Sequence, residues 1–201
     1  MKTNYTLYQG IQYLEHVATA SSVCFDVETL QLQPELGKLR LLQLGSKVRK
    51  CVVVIDLFDL DEAGFNKLRL FFTNGERFWF AHNAVFDLAW LQEYDMHPRG
   101  RIGDSMLASK LINNGISSTV RHGLQHVVQR YLKDDDGRPV VLPKEQQLSD
   151  WSAPILSEEQ ILYAARDVIA LAELENPLLE RIAKNRLTNA YAVECNALRP
   201  L

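Results

Sequence analysis

The chain has 201 residues, 47% of them hydrophobic and 23% charged, which suits one soluble domain with a single buried core and excludes a disordered or fibrous class. Twenty-two Lys and Arg against 25 Asp and Glu leave a formal net charge of -3, so the basic excess of most nucleic-acid binders is missing, unless bound cations reverse the local sign. Cys24, Cys51 and Cys195 lie far apart with no CxxC or Cys/His zinc spacing, which excludes a disulfide scaffold and a structural zinc site and fits a cytoplasmic protein.

The amino-terminus lacks the apolar stretch of a signal peptide, and the longest apolar runs fall far below the roughly 18 residues of a membrane span, so no membrane partner is expected. Leu7, Ile11, Leu14 and Val17 recur at helical spacing and predict a helix over 7–19. Ser22 to Val27 reads as a buried strand. Leu39 to Leu44 and Cys51 to Leu57 read as two more, joined by a hairpin through Gly45 to Lys50. Asp61 is placed to cap a helix that ends by Asn74-Gly75. Arg77 to Ala81 predicts a further strand and Ala84 to Glu93 a helix.

Beyond residue 100 the pattern turns helical. Asp104 is a cap for a helix to about Asn113, and Leu124, Val127, Val128, Tyr131 and Leu132 form one apolar stripe. Lys133 to Pro143 is a polar break, its acidic run best read as a solvated turn. Ser157 with Gln160 has the form of a capping box, opening a helix to about Ala172; another is expected from Pro177 to Val193. With no repeat and no long linker, residues 1–201 are read as a single α/β domain.

Three local patterns carry chemistry. In Phe25-Asp26-Val27-Glu28-Thr29, the two acids are i and i+2 and project from one face of a strand. Two carboxylates side by side repel unless a cation sits between them, although a solvated strand end is the plain alternative. In Ala81-His82-Asn83-Ala84-Val85-Phe86-Asp87-Leu88, Asp87 falls in a first helical turn, where the helix dipole alone would favour an acid. His82 and Asn83 are placed to satisfy backbone groups there. In Tyr163-Ala164-Ala165-Arg166-Asp167, Tyr163 and Asp167 are i and i+4 on one helical face, with alanines keeping the surroundings slim. Taken singly each pattern is ordinary. Together they offer four carboxylates, the oxygen ligands that hard divalent metals take, in an arrangement suited to metal-assisted phosphodiester hydrolysis.

The ordered run FDVET, HNAVFDLAWL and YAARDV resembles the three exonuclease motifs of the DEDD superfamily. The tyrosine of the third motif resembles the subclass that includes ribonuclease D, the Werner-type exonucleases and the proofreading domain of family A DNA polymerases. The likeness extends to Asp104-Ser105-Met106-Leu107-Ala108-Ser109 and to Lys144-Glu145-Gln146-Gln147-Leu148-Ser149-Asp150-Trp151, and spans roughly residues 20–195. The resemblance implies a ribonuclease-H-like fold, a mixed five-stranded sheet flanked by helices, with the last strand near Arg101 to Gly103. It implies that Asp26, Glu28, Asp87 and Asp167 hold two Mg²⁺ or Mn²⁺ ions and that Tyr163 orients the attacking water. It further implies that Thr29 and Leu32 line the pocket of the terminal nucleotide, that Asn83 contacts the backbone near the scissile phosphate, and that Lys144 contacts a phosphate. The expected partner is the 3′ end of a single strand of RNA or DNA, with RNA favoured. A stand-alone DNA exonuclease and a catalytically dead binding protein on the same fold are the alternatives. No oligomeric state is specified.

Overall fold

A computed structural model describes residues 4–114, 119–143 and 149–198. Among these residues, six strands form one mixed sheet, one more than expected: β1 (Thr6–Gln9), β2 (Ser22–Thr29), β3 (Leu39–Ser46), β4 (Cys51–Asp56), β5 (Phe78–Ala81) and β6 (Arg101–Asp104), in the order β1-β4-β3-β2-β5-β6. The central strands β2, β3 and β4 pair antiparallel. β1 runs parallel to β4, and β5 and β6 continue parallel to β2.

The additional strand corrects the helix expected over 7–19. Gly10, at φ 106, breaks the chain after Gln9, and Thr6–Gln9 instead pairs with Cys51–Val54. Ile11–Tyr13 is a 3-10 turn, and only Glu15–Ala18 is α-helical (α1). Leu14 and Val17 still reach the core, so the apolar spacing reported burial correctly and the element wrongly.

The helices cover both faces. On one, α1, α2 (Glu62–Phe72) and α3 (Ala84–Gln92) bury Leu68, Phe72, Leu88 and Trp90 against Val23, Phe25 and Val27 of β2. On the other lie α4 (Ser105–Ile112), α5 (Leu124–Tyr131), α6 (Glu158–Lys184) and α7 (Thr188–Asn196). The caps form as the sequence suggests. Asp61 accepts from the Gly64 N–H, and Ser157 and Gln160 make a reciprocal capping box.

α6 differs from the expectation of a break between Ala172 and Pro177. It continues through Pro177 to Lys184, because Leu171, Leu174, Leu178 and Ile182 stay buried on one stripe across the proline and outweigh the lost backbone bond. The next helix begins only at Thr188, after Arg186 turns left-handed at φ 59. Close approach of α6 to the sheet depends on Gly45: a Cβ there would lie 2.3 Å from Val168 Cγ1. Arg40, buried in β3, pairs with Asp56 at 2.7 Å and donates to the Ala153 carbonyl at 2.7 Å, which ties the segment before α6 to the sheet.

Candidate active site

The carboxyl ends of β2 and β5, the start of α3 and the amino-terminal half of α6 bring the three sequence patterns together. One carboxylate oxygen from each of Asp26, Glu28 and Asp167 lies within 4.8 Å of the others. Asp87 joins them through its neighbour: its carboxyl is hydrogen-bonded to that of Asp26, while its Oδ1 is buried without a partner. Alternation along β2 directs Asp26 and Glu28 to the α6 side, since Val23, Phe25 and Val27 occupy the opposite face. Asp87 reaches the group because α3 begins directly after β5, the neighbour of β2.

The electrostatics show what gathering four acids costs. Burial pushes Asp26 up to about 6, with bonds from Asp87 and the Val27 backbone pulling the other way. Burial, then the charges of Asp26 and Asp167, push Glu28 up to about 9. Asp167 rises to about 7 through burial and Asp26, against a hydrogen bond from Tyr163. Asp87 is held well above the usual carboxylate range by burial and by Asp26. Such a set, close together and all oxygen donors, fits a hard divalent cation.

The turn into α3 is built by a residue from elsewhere. Asn83 takes the left-handed conformation at φ 59, and its side chain caps nothing. The first helical N–H, that of Ala84, is received by Asp104 Oδ2 at 2.7 Å, while Asp104 Oδ1 caps α4 through Met106 and Leu107. Tyr191 of α7 secures Asp104 in turn: its hydroxyl accepts from the Asp104 N–H at 2.7 Å and donates to the Asp104 carbonyl. His82 shares a hydrogen bond with Ser105 Oγ at 2.8 Å, and burial lowers it to about 4, so it is neutral at pH 7.

Tyr163 and Asp167 stand together on α6, the i+4 pairing expected from spacing, and each shifts the other's pKa. The Tyr163 phenol is pushed far above the ordinary value by burial, then by Asp167 and Glu28. Both residues form one wall of a cavity of about 340 Å³ whose other walls include Arg121, Gln125, His126 and Leu142. Arg121 and His126 were missed in the sequence because the apolar stripe of α5 dominates that stretch; the only signal was an Arg just before it and a His within it. The turn at 133–143 folds as a solvated loop, with Asp134 Oδ1 accepting from the Asp136 and Arg138 N–H groups.

The expected substrate contacts are more dispersed. Thr29 ends β2, and its hydroxyl donates to the Gln31 carbonyl at 2.6 Å. Leu32 stands 82% exposed in the following loop. Asn83 is exposed beside the α3 turn. Lys144 lies outside the described residues.

A family model described as 3′-5′ exonuclease matches residues 5–183. The chain belongs to this 3′-5′ exonuclease family, within the DEDD superfamily. Among its relatives, DNA polymerase I of Aquifex aeolicus is 36% identical over 137 residues, covering 68% of this chain and 21% of that protein. Ribonuclease D of Haemophilus influenzae is 28% identical over 176 residues, covering 87% of this chain and 40% of that protein. The exonuclease chain thus spans less than half the length of these two relatives. Among solved structures, Brucella melitensis NrnC superimposes with a TM-score of 0.77 at 26% identity, over 96% of this chain and 89% of that one. NrnC has also been solved with bound Mg²⁺ and bound to pGG. Escherichia coli RNase D has the same fold, with a TM-score of 0.79 at 20% identity over 98% of this chain and 50% of that one. No helix among the described residues is long and apolar enough to cross a membrane.

Proposed function

We propose that residues 1–201 form a single exonuclease domain that hydrolyses single-stranded nucleic acid from its 3′ end and releases nucleoside 5′-monophosphates. The observation that carries this reading is the convergence of Asp26, Glu28 and Asp167 within 4.8 Å, with Asp87 bonded to Asp26. Asp26, Glu28, Asp87 and Asp167 are assigned to hold two Mg²⁺ or Mn²⁺ ions, in keeping with the Mg²⁺ of NrnC. Divalent cations held there would supply an activated water near neutral pH and stabilise the leaving 3′ oxygen.

The protein's own contribution is placement. Tyr163 faces the cavity beside Asp167 and orients the water; its raised pKa keeps it protonated, so it positions rather than deprotonates. Arg121, with His126 in the lining of the same cavity, is suited to the phosphates of an entering strand. Thr29 and the exposed Leu32 are assigned to the terminal nucleotide, Leu32 as an apolar wedge against its base. Asn83 is assigned to the backbone near the scissile phosphate and Lys144 to a phosphate contact. Buried, unpaired Cys24, Cys51 and Cys195 fit a reducing, cytoplasmic setting.

RNA is the favoured substrate, on the likeness to ribonuclease D over 87% of the chain. The likeness to DNA polymerase I supports DNA as the second reading. Matched single-stranded RNA and DNA oligonucleotides, incubated in parallel with Mg²⁺, test both: mononucleotides released stepwise from one of them are expected. Cleavage of a covalently closed circle would defeat the exonuclease reading. Binding without hydrolysis of either strand would leave a binding protein on a dead nuclease fold.

A further inference from the structure

Gln43 lies in the middle of β3 and is 0% exposed, yet neither Oε1 nor Nε2 of its amide has a hydrogen-bond partner. A buried amide in that state is costly, and Leu or Val would fill the same space without that penalty. Its surroundings are set by the register. Gln43 stands opposite Asp26 on β2 and opposite Val54 on β4. Directly opposed residues share a face, with Cβ atoms roughly 4.5–5.5 Å apart. Leu41 and Gly45, two residues to either side, occupy that face too: Leu41 packs with the α6 residues, and Val168 of α6 closes over Gly45. Gln43 therefore lies beneath the acidic centre, between Asp26 and the helix that carries Asp167.

The needs of the two side chains are complementary. Asp26 is hydrogen-bonded to Asp87 in this structure. A cation held by the acids would compete with that contact, and an Asp26 oxygen not bound to the ion would need a donor. Gln43 Nε2 is an unspent donor one strand away. We propose that Gln43 is a positioning residue for the cation site: its amide N–H donates to the Asp26 carboxylate and fixes the orientation in which Asp26 holds a divalent ion. A partner of this kind behind a metal ligand typically changes metal affinity by about 10- to 100-fold. The inference rests on the assignment of Asp26 as a cation ligand.

Gln43→Met keeps the side-chain length and removes the donor. The probe is Mn²⁺ alone, followed through the electron paramagnetic resonance signal of the free ion, with thermal unfolding of the cation-free protein beside it. The expected result is a divergence: Mn²⁺ affinity falls about 10- to 100-fold, while the cation-free Tm is unchanged or raised. Val54→Ala, on the other side of Gln43, is the packing control. It should lower the Tm and leave the Mn²⁺ Kd within about twofold. Wild-type-like Mn²⁺ binding by Gln43→Met overturns the positioning role alone. A lowered Tm, or a failure of Gln43→Met to fold, shows that the amide is already used without the cation and overturns it as well. Equal weakening by Val54→Ala reduces the effect to packing. Absence of Mn²⁺ binding by the wild type overturns the cation site itself, and the role of Gln43 with it.

Discussion

Asp26 and Asp87 are joined carboxyl to carboxyl, although one stands on β2 and the other on the helix that follows the neighbouring strand β5. Such a bond requires a proton on one partner, since two ionised carboxylates at that separation repel. Glu28, pushed up to about 9, holds a second proton at neutral pH. Without a cation, acids gathered this closely are kept together by protons, which a divalent ion would replace.

Cation binding should therefore release protons. At pH 7, titration of the protein with Mg²⁺ or Mn²⁺ in buffers of different ionisation enthalpy should give apparent heats that scale with that enthalpy, corresponding to release of at least one proton. Heats independent of buffer would contradict the protonated centre. EDTA should abolish hydrolysis and either cation should restore it, and full activity in metal-free buffer would sink the metal-assisted reading.

Stability of the cation-free protein should fall as pH rises from about 6.5 to 9. Glu28 and Asp167 have folded-state values raised to about 9 and about 7, so over this range the native state binds more protons than the unfolded chain. Their contribution is complete below the unfolded carboxylate pKa and is lost as pH climbs through the folded values. His82, lowered to about 4, works in the opposite direction, but its window closes near 6.5. Thermal unfolding at pH 6.5, 7.5 and 8.5 should show a falling Tm, flattened in Glu28→Gln and by saturating Mg²⁺. A Tm that rose across the range would overturn the assigned values.

Asp26→Asn should keep the fold, raise the cation-free Tm at pH 8 by relieving repulsion, and remove nearly all hydrolysis. Near wild-type turnover in this variant would remove Asp26 from the site.

Much of this site was legible in the sequence because its parts are local. Strand alternation puts Asp26 beside Glu28, and one helical turn puts Tyr163 above Asp167. What the sequence hid depends on register and on contacts across the fold. Gln43 sits in an apolar run, and only the pairing of β2 with β3 reveals that it stands opposite Asp26. Asp104 was legible as the cap of its own helix, but its bond to Ala84, 20 residues away, was not. The strand Thr6–Gln9 escaped because four residues at a sheet edge carry too short a pattern to outweigh the helical spacing that follows.

Arg121 should matter for binding more than for chemistry. It lines the same cavity as Tyr163 and Asp167 but is not among the acids. Arg121→Ala should raise KM several-fold with little change in kcat, and should reduce the dependence of log affinity on log salt by about one contact's worth. A kcat effect larger than the KM effect would move Arg121 into the reacting centre.

Tyr163 offers the sharpest test of how the chemistry is divided. It lines the cavity beside Asp167, and burial with the nearby acids keeps its phenol protonated across the working pH range. A group in that state can orient a water but cannot take its proton. Tyr163→Phe should preserve the fold, the ring packing and cation binding, and lower the single-turnover rate at saturating Mg²⁺ by about 10- to 1000-fold, within the range of about 10²–10⁴ or below that such groups contribute. Substrate affinity should change little, because the interaction is strongest in the transition state. The variant's pH–rate profile should be lower but unmoved along the pH axis, since the tyrosine is not the titrating group. A shifted profile would make the phenol a proton carrier. An unchanged rate would reduce Tyr163 to a packed aromatic and leave water placement to the carboxylates.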